Sequence, residues 1–159
     1  IEHLPGARLV IVGWGSYAKR LAMLRRTSPA RGSITLTGEV TVAELPGHVA
    51  MGDVFAMPCR TRRGGLDVEG LGIVFLEASA TGLPVIAGTS GGAPETVVEG
   101  VTGDVVDGRD QDALVAALVR QLADPVLRAR MGAAGRALMQ ERWTWSSLVT
   151  GLVEAIDAR

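Results

Sequence analysis

Short apolar runs alternate with amphipathic stretches along most of this chain, and that alternation constrains its fold more than any other feature. Arg8 to Val12, Ile34 to Thr37, Val54 to Met57, Pro84 to Ala87 and Asp104 to Val106 read as strands. Helices are expected between them. Tyr17 to Arg26 places Leu21 and Leu24 on one face and leaves Lys19, Arg20 and Arg25 to water, and Ser28-Pro29-Ala30-Arg31-Gly32 breaks it. Further helices are expected near Val42 to Met51 and over Ile73 to Thr81. Strands that alternate with helices in this way predict an α/β domain with a parallel sheet covered on both faces. Asp110 or Asp112 is placed to cap a helix through Ala123, and Asp124-Pro125 to start another through Gln140. A last helix, Ser146 to Ala158, carries an apolar stripe of Leu148, Leu152, Val153 and Ile156.

The segment Glu69-Gly70-Leu71-Gly72-Ile73-Val74-Phe75-Leu76-Glu77 holds two carboxylates eight positions apart, one in a glycine-rich turn and one inside an apolar run. The turn follows the strand ending at Met57-Pro58 and opens the helix at Ile73. A helix start offers free backbone N–H groups and the positive end of its dipole, and glycine lets a ligand approach the backbone closely. A phosphate-sized anion therefore fits at Gly70, Leu71, Gly72 and Ile73. Glu69 then stands at the mouth of the turn and Glu77 about one turn into the helix, so each can reach hydroxyls on one side of a bound diphosphate. A nucleotide sugar has that layout. A side chain at Gly72 is expected to project into the pocket and block the phosphate. Taken alone, a loop Glu and a helix Glu are most often solvated surface charges.

Context changes that balance. Gly64-Gly65-Leu66-Asp67-Val68-Glu69-Gly70-Leu71-Gly72-Ile73 resembles the Glu-x7-Glu region of retaining GT-B glycosyltransferases of family 4, and Gly82-Leu83-Pro84-Val85-Ile86-Ala87-Gly88-Thr89-Ser90-Gly91-Gly92-Ala93-Pro94-Glu95 resembles the next element in order and spacing. Leu9-Val10-Ile11-Val12-Gly13-Trp14-Gly15, Gly38-Glu39-Val40, Gly103-Asp104-Val105-Val106, Met131-Gly132-Ala133-Ala134-Gly135-Arg136 and Trp143-Thr144-Trp145 extend the likeness over nearly the whole chain. The string from Cys59 to Gly72 is most similar to actinobacterial phosphatidylinositol mannosyltransferases, those adding the second mannose.

The resemblance implies a Rossmann-like three-layer α/β/α domain, the C-terminal, donor-binding half of a GT-B fold, over residues 1–159. It implies transfer of α-mannose from GDP-mannose, with retention, to a phosphatidylinositol mannoside lipid. Glu69 is expected to hold the transferred sugar, Glu77 the ribose hydroxyls, Gly70 to Ile73 the donor phosphates, and Val40 and Val42 the base. An N-terminal acceptor domain and the first strand and helix of this domain, with a Gly-Arg and a Lys for the diphosphate, have no counterpart in these 159 residues. Peripheral membrane contact is expected through that other domain. Isolated, the chain is expected to bind nucleotide without transferring sugar. The alternatives are another nucleotide-sugar donor, a related GT-B epimerase or phosphorylase, and a non-catalytic nucleotide-binding module. A pyridoxal-type lysine is not evident, since Lys19 is the only lysine and lies in the first helix.

Other residues are read more plainly. Gly13-Trp14-Gly15 lacks the third glycine and the distal acid of a dinucleotide fingerprint and reads as a tight turn. Asp67 and Glu69 imitate a metal-binding acidic pair without a third ligand, so no metal and no cofactor are expected. His3 and His48 read as surface residues, and Trp143 and Trp145 as packing a helix against the sheet. Arg60, Arg62 and Arg63 are either a solvated loop or a contact for a lipid-phosphate acceptor or donor phosphate. A net charge of −1 gives no case for nucleic acid, and the lone Cys59 excludes an internal disulfide framework. With neither a signal peptide nor a membrane-length apolar run, a cytoplasmic location, peripheral to the inner membrane face, is the expectation.

Overall fold

The computed structural model describes residues 4–157, which divide into two compact units, residues up to His48 and residues from Val49 onward. The first unit holds strand β1 (Leu9–Val12), helix α1 (Ala18–Thr27) and strand β2 (Ile34–Gly38). The two strands pair in parallel, Leu9 opposite Ile34, with the register slipping between Ile11 and Val12. The guanidinium of Arg25 on α1 donates to the Ile34 carbonyl at 2.7 Å, anchoring the helix to the strand it precedes. Gly13, at φ +108°, donates its N–H to the Gly38 carbonyl in an isolated antiparallel bridge, and the turn into α1 falls at Ser16 and Tyr17, just after the expected Gly13-Trp14-Gly15.

Helix α2 (Leu45–Ala50) is shorter than the expected Val42 to Met51. Pro46 explains this. A start at Leu45 leaves Pro46 in the first turn, where its missing N–H costs nothing, whereas a start at Val42 would remove an internal hydrogen bond. Thr41 and Glu44 close a reciprocal capping box ahead of it. The Glu44 carboxylate accepts the Thr41 N–H at 2.9 Å and the Thr41 hydroxyl accepts the Glu44 N–H at 3.3 Å. The Thr41 backbone and hydroxyl donors hold the Glu44 carboxyl below its ordinary range.

The second unit holds strand β3 (Phe55–Met57), helix α3 (Ile73–Thr81), strands β4 (Val85–Gly88) and β5 (Gly103–Val106), and helices α4 (Gln111–Ala123), α5 (Pro125–Arg142) and α6 (Trp145–Asp157). Its strands form a parallel sheet in the order β3-β4-β5. The strands of the chain are thus parallel, as their alternation with helices predicts, but they pair in two groups. Central strand β4 is buried throughout, and Val85 and Ala87 join Phe75, Ala78, Ala93 and Val97 in the main core. Ile86 points to the other face, toward Val106 and Ala117. Asp110 caps α4 through the Ala113 N–H, and Asp124 caps α5 through the N–H groups of Val126 and Leu127. Helices α3 and α5 meet at small residues: a Cβ at Gly132 would lie 1.9 Å from the Gly82 carbonyl oxygen.

Helix α6 forms where expected, yet none of its residues is buried, and Leu148, Leu152, Val153 and Ile156 are each at least 45% exposed. Trp145 is 85% exposed and packs nothing against a sheet, a correction to the sequence reading; Trp143 is half-buried. His48 is half-buried, with its Nδ1 inaccessible and unpartnered, and so is not a surface residue; His3 lies outside the described residues.

Candidate nucleotide-sugar site

Helix α3 begins as its sequence demands. Gly72 is its N-cap at φ +79°, a left-handed conformation that a glycine adopts without strain, and no side chain caps the first turn. The Phe75 N–H bonds the Gly72 carbonyl, which leaves the N–H groups of Ile73 and Val74 and the positive end of the helix dipole available to an anion. Gly82, at φ +86°, closes the helix with its N–H on Ala78 and Ser79. Gly72 is buried, however, and a Cβ there would strike the Phe75 ring at 2.5 Å. The expectation that a side chain at Gly72 projects into the pocket is therefore corrected: it would drive into the core that supports the helix.

Glu69 is half-buried at the junction of two cavities. One, of about 300 Å³, is lined by Pro58, Cys59, Arg60, Arg62, Asp67, Val68, Glu69 and Ser90. The other, of about 430 Å³, is lined by Met57, Glu69, Leu71, Gly72, Ile73 and Val74, and so opens onto the start of α3. Both are within the size of small-molecule sites. Glu77, four residues into α3, is exposed, while Gly70 and Ile73 face water on the turn. Val40 and Val42 belong to the first unit; Val40 is half-buried and Val42 is 89% exposed.

The arginines divide their work. Arg62 is paired with Asp67 at 2.8 Å, and the two residues also exchange backbone hydrogen bonds, closing residues 62–67 into a hairpin. At this exposure the ion pair adds at most about 1 kcal/mol, so its consequence is shape. Arg60 donates to the Gly108 carbonyl at 3.4 Å and lines the smaller cavity. Arg63, at φ +52°, is exposed, and its side chain has no partner among the described residues. The Asp67 carboxylate is thus committed to Arg62, and among the described residues no group of three His, Cys, Asp or Glu side chains stands together.

The loop after β4 supports the site from behind, an arrangement the sequence does not announce. A Cβ at Gly88 would lie 1.8 Å from the Cys59 carbonyl oxygen, and one at Gly91 would lie 1.7 Å from that of Glu69. Ser90, fully buried, bonds the Glu69 N–H and the Thr61 hydroxyl, while Arg109 donates to the Thr61 carbonyl at 2.9 Å. The only local signal for this contact is the glycine density of Gly88-Thr89-Ser90-Gly91-Gly92.

Residues 1–138 match the model of the family described as glycosyl transferases group 1. The chain belongs to that family. Among curated relatives of this glycosyltransferase domain, the GDP-mannose-dependent alpha-(1-6)-phosphatidylinositol monomannoside mannosyltransferase of Mycolicibacterium smegmatis is 51% identical, over 99% of this chain and 41% of its own. The GDP-mannose-dependent monoacylated alpha-(1-6)-phosphatidylinositol monomannoside mannosyltransferase of Corynebacterium glutamicum is 52% identical, with the same coverage. Among solved structures, a sucrose-phosphate synthase of Thermosynechococcus elongatus matches 98% of the chain and 40% of its own, with a TM-score of 0.80 and 28% identity. The glycosyltransferase domain thus spans about two fifths of the length of the relatives it matches. Its parallel α/β architecture is that of GT-B glycosyltransferases. Among its described residues no helix is long and apolar enough to cross a membrane.

Proposed function

We propose that the chain is the donor-binding part of a retaining α-mannosyltransferase that takes mannose from GDP-mannose and delivers it to a phosphatidylinositol mannoside. The observation that carries this reading is the position of Glu69, with the uncapped start of α3 lining the cavity on one side and Arg60 and Arg62 lining the cavity on the other. The names of the relatives, at 51 and 52% identity, supply donor and acceptor.

In this reading the diphosphate lies on Gly70, Leu71, Gly72 and Ile73, Glu69 accepts hydroxyls of the mannose, and Glu77 accepts the ribose hydroxyls. Val40 and Val42 are assigned the base by family resemblance alone. Arg60 and Arg63 attract the phosphate of the lipid acceptor, and Arg62, held by Asp67, shapes the loop that carries them. Cleavage of the sugar–phosphate bond places oxocarbenium character on the mannose and negative charge on the departing GDP, and the backbone N–H groups at the start of α3 stabilise that charge without a metal. The leaving phosphate assists deprotonation of the acceptor hydroxyl, and no side chain is assigned as base or nucleophile. The acceptor is held by a second domain, which also brings the enzyme to the cytoplasmic face of the membrane.

Two measurements test this. Calorimetric titration with GDP, UDP and ADP should rank GDP first; equal affinities would remove the donor assignment. Incubation of radiolabelled GDP-mannose with membranes should label lipid with the native polypeptide and not with residues 1–159 alone, because positioning of the acceptor and exclusion of water are then incomplete. Label in lipid from the isolated residues would refute the two-domain division of labour.

A further inference from the structure

We propose that Ser90 is a positioning residue that fixes Glu69 for sugar transfer, an inference that rests on the assignment of Glu69 to the transferred sugar. Ser90 follows β4 and is fully buried, where a hydroxyl must find partners. It accepts the Glu69 N–H at 3.0 Å, and its Oγ lies 3.1 Å from the Thr61 hydroxyl, so one atom ties the turn carrying Glu69 to the segment whose Cys59, Arg60 and Arg62 also line the smaller cavity. Thr61 is itself held, its carbonyl accepting from Arg109, whose N–H is bound by the Asp107 carboxylate.

The next two residues complete the clamp. Gly91 lies so close to the Glu69 carbonyl that no side chain fits between them, and the Gly92 N–H donates to the Gly70 carbonyl at 2.8 Å. Three consecutive residues thus grip the backbone of Glu69 and Gly70 by its N–H, by van der Waals contact and by its carbonyl. The Glu69 carboxylate itself has no hydrogen-bond or ion-pair partner among the described residues, so its place between the two cavities is inherited from this backbone grip. A displacement of about 1 Å at a group that orients a reacting sugar costs on the order of a hundredfold in rate. The α3 start and Glu77, which take the nucleotide in this reading, share no hydrogen bond with the Ser90 hydroxyl, so GDP affinity is expected to hold when it is lost.

The test uses the native polypeptide with Ser90→Ala and, as a variant that removes the other end of the bond from a half-buried position, Thr61→Val. Both should lower the transfer rate from GDP-mannose at least tenfold while GDP affinity by calorimetry stays within twofold, and the double variant should lose little more than either single one. Unchanged transfer in both variants, or GDP affinity falling in step with transfer, overturns the proposal. Hydrogen exchange separates its failure from failure of the functional reading. If the parent transfers no mannose from GDP-mannose, that reading fails, and the Glu69 amide then decides: exchange that quickens in Ser90→Ala while β4 and β5 amides hold supports the clamp, and unchanged exchange overturns it.

Discussion

The first unit of the chain contains no buried residue among its described positions, whereas the second contains every member of the core. Both have parallel strands and helices, so the difference is not one of secondary structure. In the first unit β1 and β2 are held by backbone hydrogen bonds and the Arg25 contact. Leu9, Met23 and Leu24 are more than half exposed. In the second, β4 is buried on both faces and the loops that leave the sheet touch backbone to backbone. Glu69 and Glu77 sit on the second unit. The two candidate carboxylates are thus carried by the unit in which apolar burial, at about 25 cal/mol per Å², holds the backbone still.

The largest expected contrast comes from glycine substitution. Gly88→Ala should destabilise the second unit by about 4 kcal/mol or more, because its Cβ meets the Cys59 backbone, while Gly15→Ala, with nothing within 4 Å, should stay within about 0.5 kcal/mol. Urea unfolding measures both, and similar midpoints would break the comparison. Phe75→Ala should cost about 3–5 kcal/mol through loss of the fully buried ring, against less than about 1 kcal/mol for Leu24→Ala, which is half exposed. Glu77→Gln should weaken GDP binding by about 1.5–3 kcal/mol if both ribose hydrogen bonds are charge-assisted, with unfolding unaltered. Undiminished affinity in calorimetry would remove Glu77 from the site.

Amide exchange should resolve the units without any mutation: protection in β1 and β2 should fall well below that in β4 and β5, since a two-stranded sheet without a core opens locally. Equal protection would show that the first unit draws on support beyond its own residues. The smallest effect is on pH. The Glu44 carboxyl is held below its ordinary range by Thr41, so its contribution is complete above that range and is lost as pH falls through the lowered value. An NMR titration should find the Thr41 amide shifting in step with Glu44, and an ordinary Glu44 titration would remove the capping box.

Much of this protein is legible in its sequence because turn and cap chemistry acts over a few residues. Gly72 and Gly82 bound α3 at Ile73 and Thr81 as the glycine pattern requires, Asp110 and Asp124 cap the helices they precede, and the five strands follow the apolar runs. The glycine turn and its two glutamates likewise mark the candidate site without coordinates. What the tertiary structure decided involves partners far apart in sequence: Ser90 under Glu69, Arg109 on Thr61, Gly88 against Cys59 and the Gly132 approach to Gly82. It also decided matters closer by, aiming any side chain at Gly72 toward Phe75 rather than into the cavity that Gly72 lines, and leaving Trp145 and the stripe of α6 exposed. Local conformation follows from steric and hydrogen-bonding preferences that each residue carries with it. Which backbone lies behind a glycine, or which donor reaches a buried hydroxyl, depends on how the strands pack, and no short stretch of sequence encodes that.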